Sequence, residues 1–359
     1  MTPADTNQDG ETSNNKISAE IGNDATGSIV GIENQQAHTG DINAPFIQAR
    51  DILLGNSKRD RDYEIALEWE QNEKKPRMRG FDLAKRDLSD LNLANSDLKG
   101  ADLREANLER TNLRNATLER ADLSGADLTA AIFVGANLSK ANLTGSALIA
   151  ADLTGTDLTR ANLEKARLYA TNLTGANLGD AKFAGADLLS ANLMKAKLGS
   201  ANLTNTSLKH ANFAGANLMN ANLAGADLYL ANLQETNLEN ANLRGANLKV
   251  ANLIDANLTG ADLTGADLWN ADFSGTNLTG ANLKDSIFIM VRYDSKTKWP
   301  EGFNLPVSMT FMNEAINRRR DSPFTERFMD LMNEYKSVPR PTRERIAEIQ
   351  EEVAELLRS

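Results

Sequence analysis

Ala101-Asp102-Leu103-Arg104-Glu105-Ala106-Asn107-Leu108-Glu109-Arg110 states one five-residue rule twice. Extended in both directions, the rule places Leu or Phe at every fifth position from Leu83 to Phe288, 42 units without an insertion. Two places before each such residue stands Ala, with an occasional Thr or Ser (Ala101, Ala106, Thr111, Ala116), and Asn or Asp usually lies between. The last two places often read Thr-Gly, as at Thr174-Gly175 and Thr264-Gly265.

Neither common periodicity accommodates this. A period of five drifts by about 140° per unit around a 3.6-residue helix and scatters the leucines over every side, and an uninterrupted strand needs a period of two. A short extended piece followed by a corner does fit. Within each unit Ala and Leu, two apart, point the same way, and the Asn or Asp between them points opposite. The remaining two residues, rich in Gly, Asn, Asp, Thr and Ser, make the turn. Repetition winds the chain into a tube with small Ala and large Leu alternating inside. A single coil would not fold alone, because its stability comes from stacking on its neighbours and its open edges would polymerise unless covered.

The motif Ala-(Asn/Asp)-Leu-x-x resembles that of the pentapeptide-repeat family, over Phe81 to about Met290. The resemblance implies an all-β solenoid, a right-handed quadrilateral parallel β-helix with four units per coil. The 42 units then give about ten and a half coils, roughly 50 Å at the spacing of neighbouring strands. Phe133, Phe183, Phe213, Phe273 and Phe288 resemble the family's aromatic substitution of the central residue.

The flanks differ in kind. Residues 1–16 are polar and read as a disordered tail, and 17–58 as a sparse extended segment. Residues 59–80 are expected to hold a capping helix over 60–75, with Tyr63, Leu67 and Ile65 or Trp69 on its apolar side and Pro76 ending it. The first coil departs from consensus at Phe81, Arg86 and Leu91, where a cap would pack. After the tube (81–290), residues 291–359 are expected to form a C-terminal cap, with Trp299 to Phe303 as an aromatic turn, and then helices near 309–320, 325–336 and 342–357. In the last of these Ile346, Ile349, Val353 and Leu356 follow a three-four spacing, which marks a candidate self-association helix and a route to a homo-oligomer.

Composition narrows the chemistry. A net charge of −10 argues against a basic face for direct nucleic-acid binding. With no cysteine there are no disulfides, thiolate ligands or cysteine nucleophiles. The only histidines, His38 and His210, have no nucleophile elbow nearby, and no phosphate loop, nucleotide fingerprint or metal spacing occurs, so no catalytic, cofactor or metal site is expected. No apolar run reaches membrane-spanning length, and Met1 to Lys16 lacks a signal-like apolar stretch, so a cytoplasmic protein is expected.

Two surfaces remain as candidates. In a four-unit register Asp82, Asp102 and Asp122 share one face, and Asp87, Asp127, Asp187, Asp227 and Asp267 the next. Family members that protect DNA gyrase from quinolones are understood as duplex mimics, so the resemblance implies such an acidic face as one reading. The other reading is structural: Asn and Asp bond local backbone and stack as ladders. The column is interrupted by Arg167, Lys182 and Lys197, which favours the second. Arg104, Arg110, Arg114 and Arg120 form a basic cluster expected to pair with Glu105, Glu109 and Glu119. The expected function is a scaffold that binds protein partners, with a DNA-mimicking gyrase or topoisomerase ligand as the alternative.

Overall fold

The computed structural model describes residues 57–72, 75–304 and, beyond them, Arg327, Asp330, Arg345, Glu348, Glu351, Glu352 and Glu355. The tail, most of the 17–58 segment, His38, the expected helix at 309–320, and Ile346, Ile349, Val353 and Leu356 lie outside the described residues.

Parallel bridges join residues 20 apart from Asp82↔Asp102 through Asp267↔Ile287, so four units make one coil. Each unit has only one bridged residue, because a turn follows every three. The central Leu and Phe residues and the Ala two before them are buried along the whole stack, forming one continuous core.

In a consensus unit all five N–H groups have an acceptor, as a buried backbone requires. In the unit Ala101 to Glu105, Asp102 N–H donates down to Phe81 O (2.8 Å), and Leu103 and Glu105 donate up to Asp122 O (2.7 Å) and Ser124 O (3.0 Å). Ala101 N–H closes the preceding turn on Leu98 O (3.0 Å). That leaves Arg104 N–H, which donates to the Asp102 side chain (3.2 Å). The Asn/Asp position thus supplies the acceptor that the coil ladder lacks. The same bond recurs from Glu109 N–H to Asn107 (3.1 Å) and from Thr264 N–H to Asp262 (3.0 Å).

The second turn residue is left-handed throughout, from Lys85 at φ +59° to Met290 at φ +59°. Glycine suits that position, yet Ala130, Ala150, Ala170, Leu230 and Val250 also occupy it, at φ between +54° and +59°. Stacking holds them there.

Buried threonines also have partners. Thr156, Thr206 and Thr236 donate their hydroxyls to the carbonyls of Phe133, Phe183 and Phe213, and Thr297 does so to Phe273 (2.9–3.1 Å). Thr can therefore replace Ala inside without an unpaired hydroxyl.

The solenoid is longer than the 81–290 read from the motif. Met78 is wholly buried and its N–H pairs with Asp97 O (2.9 Å), so the first unit begins inside the stretch assigned to the N-terminal helix. At the other end Asp272↔Arg292 and Asn277↔Lys298 continue the ladder, the latter across 21 residues. Asp294 absorbs the extra residue. Its carboxylate accepts from Gly275 N–H (2.9 Å), where earlier turns use a carbonyl of the next coil, and also from Lys296 and Thr297 N–H. Trp299 then packs among Phe273, Phe288, Tyr293 and Phe303, at centroid distances of 5.3–6.4 Å.

The helix α1 spans Lys58–Leu67, shorter than 60–75, with Ser57 as N-cap accepting from Asp60 N–H. Its buried side is Asp62 and Ala66, continued by Trp69 in the following turn; Tyr63 and Trp69 pack on the core as read in the sequence, whereas Leu67 is exposed and Ile65 half-buried. The difference has a physical cause. Having no coil below it, the first coil leaves edge groups to be satisfied by polar side chains. Asp62 accepts from Asp82 N–H (2.8 Å), and the Tyr63 hydroxyl donates to Asp87 O (2.9 Å). Arg86 bonds Asp60 and lies over the Tyr63 ring (5.0 Å).

Candidate interaction surfaces

The two expected acidic groups lie on adjoining faces, and their carboxylates differ in spacing. Asp82, Asp102 and Asp122 are bridged in three successive coils. On the next face Asn107 separates Asp87 from Asp127, Ala147 and Arg167 separate Asp127 from Asp187, and Ser207 and Asn247 separate Asp187, Asp227 and Asp267.

Most of these groups are engaged within the solenoid. Asp102 is gripped by Arg104 through two bonds (2.6 and 2.8 Å), which together hold its carboxyl below the ordinary carboxylate range. Asp87 accepts from the Ser89 hydroxyl and N–H and from Asn107, and is likewise held low. Asp127 accepts from Thr129, Asp227 pairs with Lys209 (3.2 Å), and Asp267 with Lys249 (3.0 Å). Asn side chains climb the same columns as ladders, for instance Asn242 to Asn222 (2.9 Å) and Asn247 to Asp227 (2.8 Å).

The basic cluster pairs partly with chain neighbours, Arg110 with Glu109 and Arg120 with Glu119 (3.7 Å), and partly by stacking. Arg110 takes Asp90, 20 residues earlier (2.7 Å), as well as Glu109; Glu105 is met by Lys85 (3.4 Å) and Glu119 by Lys99 (2.6 Å). Arg104 goes to Asp102, not Glu105. Residues one coil apart sit about 4.8 Å from each other, close enough for such pairs. His210 occupies a turn with its ring edge-on to Tyr229 (6.1 Å).

One surface has no counterpart in the sequence reading. At the first turn residue after Leu148, Leu168, Leu188 and onward, a single corner carries Ile149, Tyr169, Leu189, Lys209, Tyr229, Lys249, Trp269 and Ile289. The equivalent places on the other corners are mostly Thr, Ser, Ala, Gly, Glu, Gln, Lys or Arg, with Val134, Met194, Met219 and Ile254 scattered among them. Tyr169 is 47% and Leu230, next to Tyr229, 38% exposed; with Leu67 they are the exposed large hydrophobic residues among those described. Reading every twentieth residue would have revealed the stripe.

Eight copies of the family described as Pentapeptide repeats match this chain, over residues 87–125, 121–160, 161–199, 196–234, 231–270 and 251–288. The chain belongs to the pentapeptide-repeat family. Its right-handed β-helix is the fold of that family. Among solved structures, this pentapeptide-repeat chain is similar to HetL, a pentapeptide repeat protein involved in heterocyst differentiation regulation from the cyanobacterium Nostoc sp. strain PCC 7120. The identity is 37%, over 58% of this chain and 86% of that one, with a TM-score of 0.28. A pentapeptide repeat protein from the Arabidopsis thaliana thylakoid lumen is 36% identical over 28% of this chain and 68% of its own, at TM-score 0.20. Full-length QnrB1, a plasmid-mediated fluoroquinolone resistance protein, is 19% identical over 53% and 89%, at TM-score 0.30. No curated protein sequence matches the chain.

Among the described residues, no group of three or more His, Asp or Glu side chains is arranged to hold a metal ion, and no helix is long and apolar enough to cross a membrane.

Proposed function

We propose that this pentapeptide-repeat protein is a non-catalytic scaffold or adaptor: a stiff β-helix that binds protein partners on an outer corner and through its end segments. The observation that supports it is the corner bearing Tyr169 and Leu230, large apolar side chains left open on an otherwise polar surface. Exposed large apolar side chains gathered along one corner mark protein contact. The internal engagement of Asp102, Asp227 and Asp267 argues in the same direction, since carboxylates bonded to neighbouring Arg and Lys offer little free charge to a basic channel.

The test is a pull-down from the native cell with three baits: the full chain, the chain ending after Phe303, and Tyr169→Glu with Leu230→Glu. A partner retained by the first and lost from the second or third supports the reading. An identical set on all three, or none above background on the full chain, sinks it. A second reading, a DNA mimic acting on gyrase, draws on the uninterrupted Asp82, Asp102, Asp122 stack. A supercoiling assay decides that one, and absence of any effect at micromolar protein removes it.

A further inference from the structure

The apolar corner is not equally open along its length. Tyr169 is 47% exposed, yet Trp269 and Ile289, at the equivalent place in later coils, are 7% and 1% exposed. The neighbouring second turn residue follows the same trend. On this corner it is exposed in every coil from Asp90 to Leu230, then half-buried at Val250, Asn270 and Met290. Burial therefore rises toward the end of the solenoid at which the chain leaves the last coil, near Phe303 and Asn304.

The segment beyond that exit has the composition to account for this. Residues 342–357 carry Ile346, Ile349, Val353 and Leu356 at helical spacing. Arg345, Glu348, Glu351, Glu352 and Glu355 are helical, and Glu348, Glu351 and Glu355 are exposed. Lengths also match. The corner from Ile149 to Ile289 rises about 34 Å at about 4.8 Å per coil, and a 342–357 helix is about 24 Å long. The 37 residues from 305 to 341 give ample reach from the exit.

We propose that the C-terminal amphipathic segment of this same chain lies along the apolar corner, its Ile346, Ile349, Val353 and Leu356 side covering the later coils and leaving Tyr169 open. A partner that uses this corner must then share it with, or displace, the chain's own C-terminus. The proposal adds regulation to the scaffold reading, but its test follows the chain's own residues and so can fail while partner binding stands.

The experiment is hydrogen–deuterium exchange on the full-length protein, following peptides from 342–357. The perturbing variant is Leu230→Asp with Val250→Asp. Both positions have left-handed backbone (φ +58° and +59°), which Asp tolerates better than Leu or Val, so the solenoid should stay folded. The control is Asn220→Asp with Asn240→Asp, at the same turn position on the opposite corner. The expected result is protection of 342–357 in the wild type and the control, and exchange at least about tenfold faster in the perturbing variant, with repeat peptides unchanged. Unprotected 342–357 in the wild type, or equal protection in all three proteins, overturns the proposal. Protection that vanishes on dilution to a sedimentation-defined monomer assigns the corner to a second copy and overturns it too.

Discussion

Ala→Gly is ordinarily destabilising, and in this fold its sign should depend on which of two alanines is changed. Ala130, Ala150 and Ala170 stack in consecutive coils at the second turn residue, exposed, with φ of +56°, +55° and +54°. An L-residue in that region carries roughly 1–2 kcal/mol of steric cost, which Gly removes. Against this, Gly loses roughly 0.5–1 kcal/mol more conformational entropy on folding. The net is a gain of about 0.5–1 kcal/mol per site. Ala176 is buried in the core and absent from the positive-φ positions. Changing it to Gly has the same entropic cost and loses about 0.8 kcal/mol for a buried methyl group, a loss of about 1.5 kcal/mol. The two identical substitutions should therefore differ by about 2 kcal/mol. Denaturant midpoints and thermal midpoints of Ala170→Gly, Ala176→Gly and the triple variant at 130, 150 and 170 measure this. Equal destabilisation by Ala170→Gly and Ala176→Gly would refute the assignment of the left-handed position, and with it the turn geometry on which the coil rests.

Asp62→Ala should destabilise by about 1–3 kcal/mol, because it leaves Asp82 N–H at the first edge without its acceptor. Asp62→Asn, which keeps an acceptor, should recover part of that in the same denaturant titration, and an unchanged midpoint for Asp62→Ala would contradict a role at the edge. Acid should weaken the fold. Asp87, held low by Ser89, Asp90 by Arg110, Asp102 by Arg104 and Asp294 by Gly275 N–H all have carboxyls depressed below 3.8 in the folded chain. Depressed carboxylates contribute stability that is complete above the unfolded value and is lost as pH falls through the folded one. The thermal midpoint should thus hold down to about pH 4 and drop below it, and a flat profile to about pH 2 would count against these contacts.

Much of the fold could be read because a five-residue period favours one interior face. Leu103 or Phe183 inside and Asp102 outside follow from spacing, whereas the 20-residue coil was implied by the resemblance to the pentapeptide-repeat family. The ends were less legible. Met78 replaces Leu in the first unit, and Asp294 adds a residue to the last, so a motif search stops short at both. The face of α1 was misjudged at Leu67 because apolar spacing governs a helix packed on a core, whereas this one meets a strand edge whose backbone groups call for Asp62 and Tyr63. Ion pairs followed the coil repeat as well as chain proximity: Arg110 meets Asp90 besides Glu109, and Lys85 meets Glu105. The apolar corner was hidden for the same reason. Ile149, Tyr169 and Leu189 look isolated along the chain and become neighbours only when every twentieth residue is aligned.

The coil repeat itself can be measured with a ruler. The protein has no cysteine, so spin labels can be introduced in pairs at Ser124 with Ala224 and at Ser124 with Thr264, all on one face. Five and seven coils at about 4.8 Å each give label separations near 24 and 34 Å, narrow in distribution and growing in proportion to the number of coils. Separations that fail to grow by that increment, or broad distributions for both pairs, would contradict the four-unit coil.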